Sequence, residues 1–154
     1  MTPPEPVPAE ILDALAKIPG GLFVMTSAFE DARTGVLARS VQPCADEPVL
    51  LSVSLHRGHA IEPMIRDSHA FAICRVEPDD KLVRRLFDPD SAAEPEQQHD
   101  PFHALPVQTL QTGCPVLKRS IVAYDCEVVR HFDLEADCEL YVGHVVAAKV
   151  FRAG

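Results

Sequence analysis

A chain of 154 residues with 47% apolar side chains is long enough to bury one full core and too apolar to be disordered. Its net charge of -9 excludes the broadly basic surface that grips nucleic acid or an acidic membrane, so an anionic ligand must be held by individual cations. Five cysteines (Cys44, Cys74, Cys114, Cys126 and Cys138), odd in number and without a Cys-x-x-Cys pair, argue against a disulfide framework and for a cytoplasmic setting.

The opening MTPPEPVPAE lacks both a basic start and an apolar stretch, so no secretory signal is expected. No apolar run reaches the roughly 18 residues that a membrane helix needs. Residues 1–7 read as a Pro-rich extended arm, and a single domain is expected over 8–154. From Pro8, Ile11, Leu12, Leu15 and Ile18 recur at helical spacing until Pro19-Gly20-Gly21 stops the helix. LFVMTSAF has the character of a buried strand, EDARTG reads as a turn, and VLARSV as a second strand. In EPVLLSVSL the residues Val49, Leu51, Val53 and Leu55 alternate with Leu50, Ser52 and Ser54, the period of a strand with one face more buried.

AIEPMIRD sets Ile61, Met64 and Ile65 on one helical face, with Pro63 tolerated in the first turn. HAFAICRV is a strand, and PDDKLVRRLF a helix capped by Asp79 with Leu82, Val83, Leu86 and Phe87 as its apolar stripe. Residues 88–112 are acidic and rich in Pro, without an apolar period. They read as a long loop: a lid, an interface segment or a disordered stretch. Two long strands close the chain: SIVAYDCEVVRHF, with Val122, Tyr124, Cys126, Val128 and Phe132 on one face, and ELYVGHVVAAKVF, apolar enough to be covered on both sides. Strands with short helices between them, and no regular βαβ alternation, favour an antiparallel barrel or sandwich over a doubly wound sheet.

The chemistry-bearing residues narrow the choice. His56-x-x-His59 and His99-x-x-x-His103 have tolerable ligand spacings, but no Cys or carboxylate partners them at a recognised interval, and Arg57 repels a cation; no metal is expected. There is no G-x-S-x-G elbow, and neither a G-x-G-x-x-G nor a G-x-x-x-x-G-K-[ST] loop. Cys126 reads as a small core hydrophobe, and Cys138 stays unassigned. What remains is a pair of segments able to hold an anion. Ala38-Arg39-Ser40 offers a guanidinium and a hydroxyl. His56-Arg57-Gly58-His59-Ala60 offers a second guanidinium, imidazoles and a glycine before a helix. The bland alternative is two solvated arginines, with Ser40 closing a strand.

The order of segments adds a further argument. LAKIPGGLFVMTS, GVLARSVQPCADEPVLLSVSL, HRGHAIEPMI, FAICRVEPDDKLVRRLF, TGCPVLKRSIVAYDCEV and DCELYVGHVV, spanning roughly 15–150, together resemble the flavin reductase-like family. The resemblance implies a mainly β fold, a six-stranded antiparallel Greek-key split barrel with short helical insertions, forming a homodimer with flavin at the subunit interface. It implies FMN, or FAD, bound through Leu37, Ala38, Arg39, Ser40 and Val41 and through Leu55, His56, Arg57 and His59. It implies NAD(P)H as reductant and a partner oxygenase as consumer of the reduced flavin. In that comparison Leu37 stands for the usual Thr, Arg39 for a small or hydroxyl residue, and His59 for Ser or Thr. Cys138 stands where a His is often found. Hydride transfer to flavin needs no side-chain nucleophile, so no catalytic side chain is assigned. A flavin-binding electron carrier, or a barrel that has lost its cofactor and serves as an interaction domain, are the alternatives.

Overall fold

The computed structural model describes residues 5–89 and 100–153. After a short helix α1 (Ala9–Leu15), the chain forms four strands: β1 (Leu22–Phe29), β2 (Ala32–Leu37), β3 (Ser40–Asp46) and β4 (Val49–His56). Helix α2 (Ile61–Ser68), strand β5 (Ala70–Val76) and helix α3 (Lys81–Phe87) follow. A small ladder of β6 (Val107–Gln108) and β7 (Val116–Leu117) precedes the long pair β8 (Val122–Asp133) and β9 (Cys138–Val150). Seven strands make one antiparallel sheet in the order β2-β1-β5-β8-β9-β4-β3. The fold is mainly β, as expected.

The seventh strand comes from a break inside VLARSV, which the alternation alone reads as one strand. Ala38 donates its N–H to the Phe23 carbonyl at 3.0 Å, whereas Arg39 donates to the Ser54 carbonyl at 2.8 Å. The chain therefore leaves β1 and joins β4 within one residue, and each half is a separate edge of the sheet. EDARTG is likewise mostly strand: Ala32 to Gly35 pair with β1, and the turn is confined to Glu30-Asp31, with Glu30 at φ 55.

Alternate residues of β1 and β5 feed two clusters on opposite faces of the sheet. Val24, Ala72 and Cys74 lie in one with α3, Phe102, Leu105, Val116 and Leu117. Met25, Phe71 and Ile73 lie in the other with Val53, Leu55, Ile61, Ile65 and Tyr141, inside the curl of the sheet and under α2. Phe71 is fully buried over Gly143, where a Cβ would meet the ring at 2.5 Å. Helix α3 is capped by Asp80, whose carboxylate accepts from the Val83 N–H, rather than by Asp79.

The described part of 88–112 is not a solvent loop. Phe102 packs on Phe87 with ring centroids 5.6 Å apart, Leu105 is 4% exposed, and Asp100 pairs with Arg33 at 2.8 Å. Burial alone would push the Asp100 carboxyl up. The Arg33 hydrogen bond, the Phe102 N–H and the charges of Arg33 and His103 outweigh it, and the group titrates below its ordinary value. Residues 90–99, including His99 of the second histidine pair, lie outside the described residues.

Candidate functional site

The outer face of β3, β4 and β9 gathers the polar residues of the predicted anion segments. Ser40 lies opposite Ser54 in the β3–β4 register, and their hydroxyls are 2.8 Å apart. Arg39, released from β1 by the strand break, is exposed, and among the described residues its guanidinium has no hydrogen-bond or ion-pair partner. That is an exposed permanent charge, next in sequence to the paired Ser40 hydroxyl, on an acidic protein. The apolar members of the predicted set do other work. Leu55 is fully buried, Ala38 and Val41 pack on the same cluster as Leu55, and Leu37 packs on the opposite cluster. The position of Leu55 thus offers a ligand only its backbone.

The second segment is less free than its composition suggests. Arg57 donates its backbone N–H to the Asp137 carbonyl at 3.0 Å and its Nε to the Ala136 carbonyl at 2.6 Å. Its guanidinium pairs with the Asp133 carboxylate and lies 3.7 Å from Glu139. Arg57 therefore clamps the end of β4 to the β8–β9 tip. Gly58, at φ +89, donates its N–H to the Glu62 carboxylate at 2.8 Å, and His59 Nδ1 accepts the Ile61 N–H at 3.0 Å, closing the first turn of α2. Burial lowers the pKa of His59 against the opposing pull of Glu62, which favours the neutral ring that this acceptor role needs.

His56 and His59 do not converge. His56 lies directly across from Cys138 in the β4–β9 register. Its Nδ1 is 3.6 Å from Cys138 Sγ and 3.9 Å from an Asp137 carboxylate oxygen. Burial and the neighbouring Asp137 raise the pKa of Cys138 against the pull of Arg39 and Arg57, so the metal-free group is a thiol.

A cleft of about 590 Å³ runs between α2 and the β8–β9 tip, with Arg57, Glu62, His131, Glu139 and Tyr141 in its wall. Its chemistry depends on a register shift that alternation does not reveal. Between Val128 and Arg130 the β8–β9 ladder slips by one residue, so Val129 has no partner. Every later side chain changes face. Phe132 leaves the face that Val122, Tyr124, Cys126 and Val128 were expected to share with it and stands 45% exposed. His131 takes the inner side, stacked on Tyr141 at 4.3 Å and 5° and 3.2 Å from Glu139. The phenol of Tyr141 is pushed up to about 12 by burial and by the charge of Glu62. The only signal for this was the adjacent apolar pair Val128-Val129, which breaks the period of two.

The free guanidinium of Arg39 with the Ser40 and Ser54 hydroxyls suits a phosphate at the edge of the sheet. The committed Arg57 orders the neighbouring turn. This donor set fits the phosphate end of a flavin nucleotide, with Arg57 committed to Asp133 and Glu139.

Comparison with known proteins gives the same direction. The family model described as the flavin reductase like domain matches residues 15–154. An FMN reductase (NADH), RutF, of Klebsiella pneumoniae subsp. pneumoniae is 27% identical over 139 residues, covering 90% of this chain and 81% of the relative. Among solved structures, an NADH:FAD oxidoreductase of Streptomyces globisporus superposes with a TM-score of 0.78 at 18% identity, over 97% of this chain and 89% of that one. An FMN-binding protein from Thermus thermophilus gives 0.77 at 21% identity, over 98% and 79%. The two structural likenesses establish the fold.

Proposed function

This chain belongs to the flavin reductase-like domain family, and from that premise we propose that it is an NAD(P)H-dependent flavin reductase that passes hydride from a nicotinamide to FMN. The bound flavin supplies the redox chemistry. The chain's own residues bind and orient it. Leu37, Ala38, Arg39, Ser40 and Val41 form the first contact segment, and Leu55, His56, Arg57 and His59 the second. The observation that carries this reading is the exposed Arg39, whose guanidinium has no hydrogen-bond or ion-pair partner among the described residues, next in sequence to the Ser40–Ser54 hydroxyl pair. Arg39 and the two hydroxyls take the phosphate. Arg57 holds the turn in place through Asp133 and Glu139, and His59 keeps the start of α2 closed.

The exposed apolar residues support a homodimer. Helix α1 buries none of its side chains: Ile11, Leu12 and Leu15 on it, and Ile18 in the turn that follows, are at least half exposed. Phe132 and Leu134 at the β8–β9 tip are also open to solvent. A second copy covering these surfaces completes the flavin site. Five free cysteines suit a reducing, cytoplasmic compartment. The reduced flavin goes to a partner oxygenase.

The test is a titration of the purified full-length chain with FMN, followed by NADH and NADPH oxidation with and without flavin. Flavin-dependent oxidation is expected. Loss of one charge-assisted contact in Arg39→Ala should raise the FMN Kd by about tenfold or more. Arg57→Ala should raise it less, and His59→Ala least. A protein that binds neither FMN nor FAD would overturn the reading. Tight binding without nicotinamide turnover would instead make it a flavin-binding electron carrier, the alternative that Cys138 in place of the common His favours.

A further inference from the structure

We propose that His56, Asp137 and Cys138 form a binding site for a divalent transition-metal cation of the zinc class, at the open end of the β4–β9 ladder. The three side chains offer one imidazole nitrogen, one carboxylate oxygen and one sulfur, all within 4.8 Å of one another. A tetrahedral ion with a metal–sulfur bond of about 2.3 Å and a metal–nitrogen bond of about 2.05 Å sets sulfur and nitrogen about 3.6 Å apart. The separation of Sγ and Nδ1 is 3.6 Å. The same geometry asks for about 3.4 Å between nitrogen and oxygen, and the Asp137 oxygen stands at 3.9 Å on a side chain 84% exposed and free to turn inward.

The backbone holds this spacing in advance. His56 and Cys138 are cross-strand partners, and the Arg57 N–H ties the Asp137 carbonyl to the end of β4. Sequence spacing hides the site because His56 and Cys138 are 82 residues apart. Arg57 is paired with Asp133 and Glu139, which offsets its repulsion of a cation, while Arg39, whose charge also reaches Cys138, opposes the cation and favours the thiolate. On binding, the metal takes the place of the thiol proton, which leaves to solvent, and no electron is transferred. Thiolate and carboxylate then supply two negative charges against the ion, with the fourth position open to water. A sulfur and a nitrogen donor select zinc or cobalt over magnesium and calcium, which take oxygen ligands.

The site shares only His56 with the proposed flavin contacts, and its binding is read without flavin. Flavin-free full-length protein is titrated with Co²⁺ and followed by absorption. A thiolate-to-cobalt charge-transfer band with tetrahedral d–d bands is expected, and Zn²⁺ should displace both. Cys138→Ser should abolish the charge-transfer band, and His56→Ala and the exposed Asp137→Asn should each weaken Co²⁺ binding by about tenfold. Cys44→Ser, which alters the other exposed thiol, should change nothing. Absence of the bands, or their survival in Cys138→Ser and loss in Cys44→Ser, would overturn the proposal while leaving the flavin reading intact.

Discussion

Two buried acidic residues, Asp125 and Glu139, both sit on the long β8–β9 pair, in opposite surroundings. Asp125 accepts the N–H groups of Gln111 and Thr112 at 2.8 and 2.7 Å and the Thr112 hydroxyl at 2.6 Å. None of those donors titrates, so its charge is matched by fixed dipoles that pin the segment after residue 100 onto the sheet. Glu139 faces His131 at 3.2 Å and Arg57 at 3.7 Å, whose side chains are 45% and 37% exposed. Its partners carry or can carry charge and reach solvent at the candidate cleft. A buried carboxylate held by backbone is a rivet. One held by ionisable side chains is an adjustable charge balance, and this molecule places it next to the turn that proposes to order flavin.

Alanine at each position measures that difference. Asp125→Ala leaves three donors without an acceptor beside the core, and should lower the unfolding free energy by about 3 kcal/mol. FMN affinity per folded molecule should stay within about twofold, because the proposed contacts lie on β3 and β4. Glu139→Ala should cost only about 1 kcal/mol, since Arg57 keeps Asp133 and solvent reaches both partners. Its larger effect should be on flavin, through a less ordered Arg57. Urea unfolding and FMN titration on the same two proteins check both halves. If Glu139→Ala is the more destabilising, or Asp125→Ala the more damaging to flavin affinity, the contrast fails.

Much of the scaffold was legible in the sequence, and much of the segment after residue 100 and of the candidate site was not. Periodicity located β1, β4, β5, α2 and α3, because each buries one face, or both, within a single element. It missed Phe102 and Leu105, whose burial comes from distant packing on Phe87 rather than from a local period. It read through the Ala38–Arg39 break, since a change of hydrogen-bond partner leaves no mark on side-chain alternation. At the site it named two anion segments, Ala38-Arg39-Ser40 and His56 to Ala60, but carried no signal of which guanidinium is paired. Whether a guanidinium is free or committed depends on Asp133 and Glu139, far along the chain, the first of them brought to this face by one unpaired residue at Val129.

The smallest expected effect is also a test of how dry the turn beside Glu139 is. Burial lowers the pKa of His59, outweighing Glu62, so the folded state disfavours the proton that the unfolded chain takes up near the ordinary histidine value of 6.5. Below that value the unfolded state binds more protons, and stability falls as pH drops towards the folded pKa. The contribution is complete above it. His59→Asn keeps an acceptor near the position of Nδ1 for the Ile61 N–H but removes the titration. The variant should therefore lose less stability than the parent between about pH 7 and about pH 5.5, by less than about 1 kcal/mol. Equal slopes for parent and His59→Asn in urea midpoints across this range would mean that His59 is solvated in the folded protein and that the turn before α2 is open.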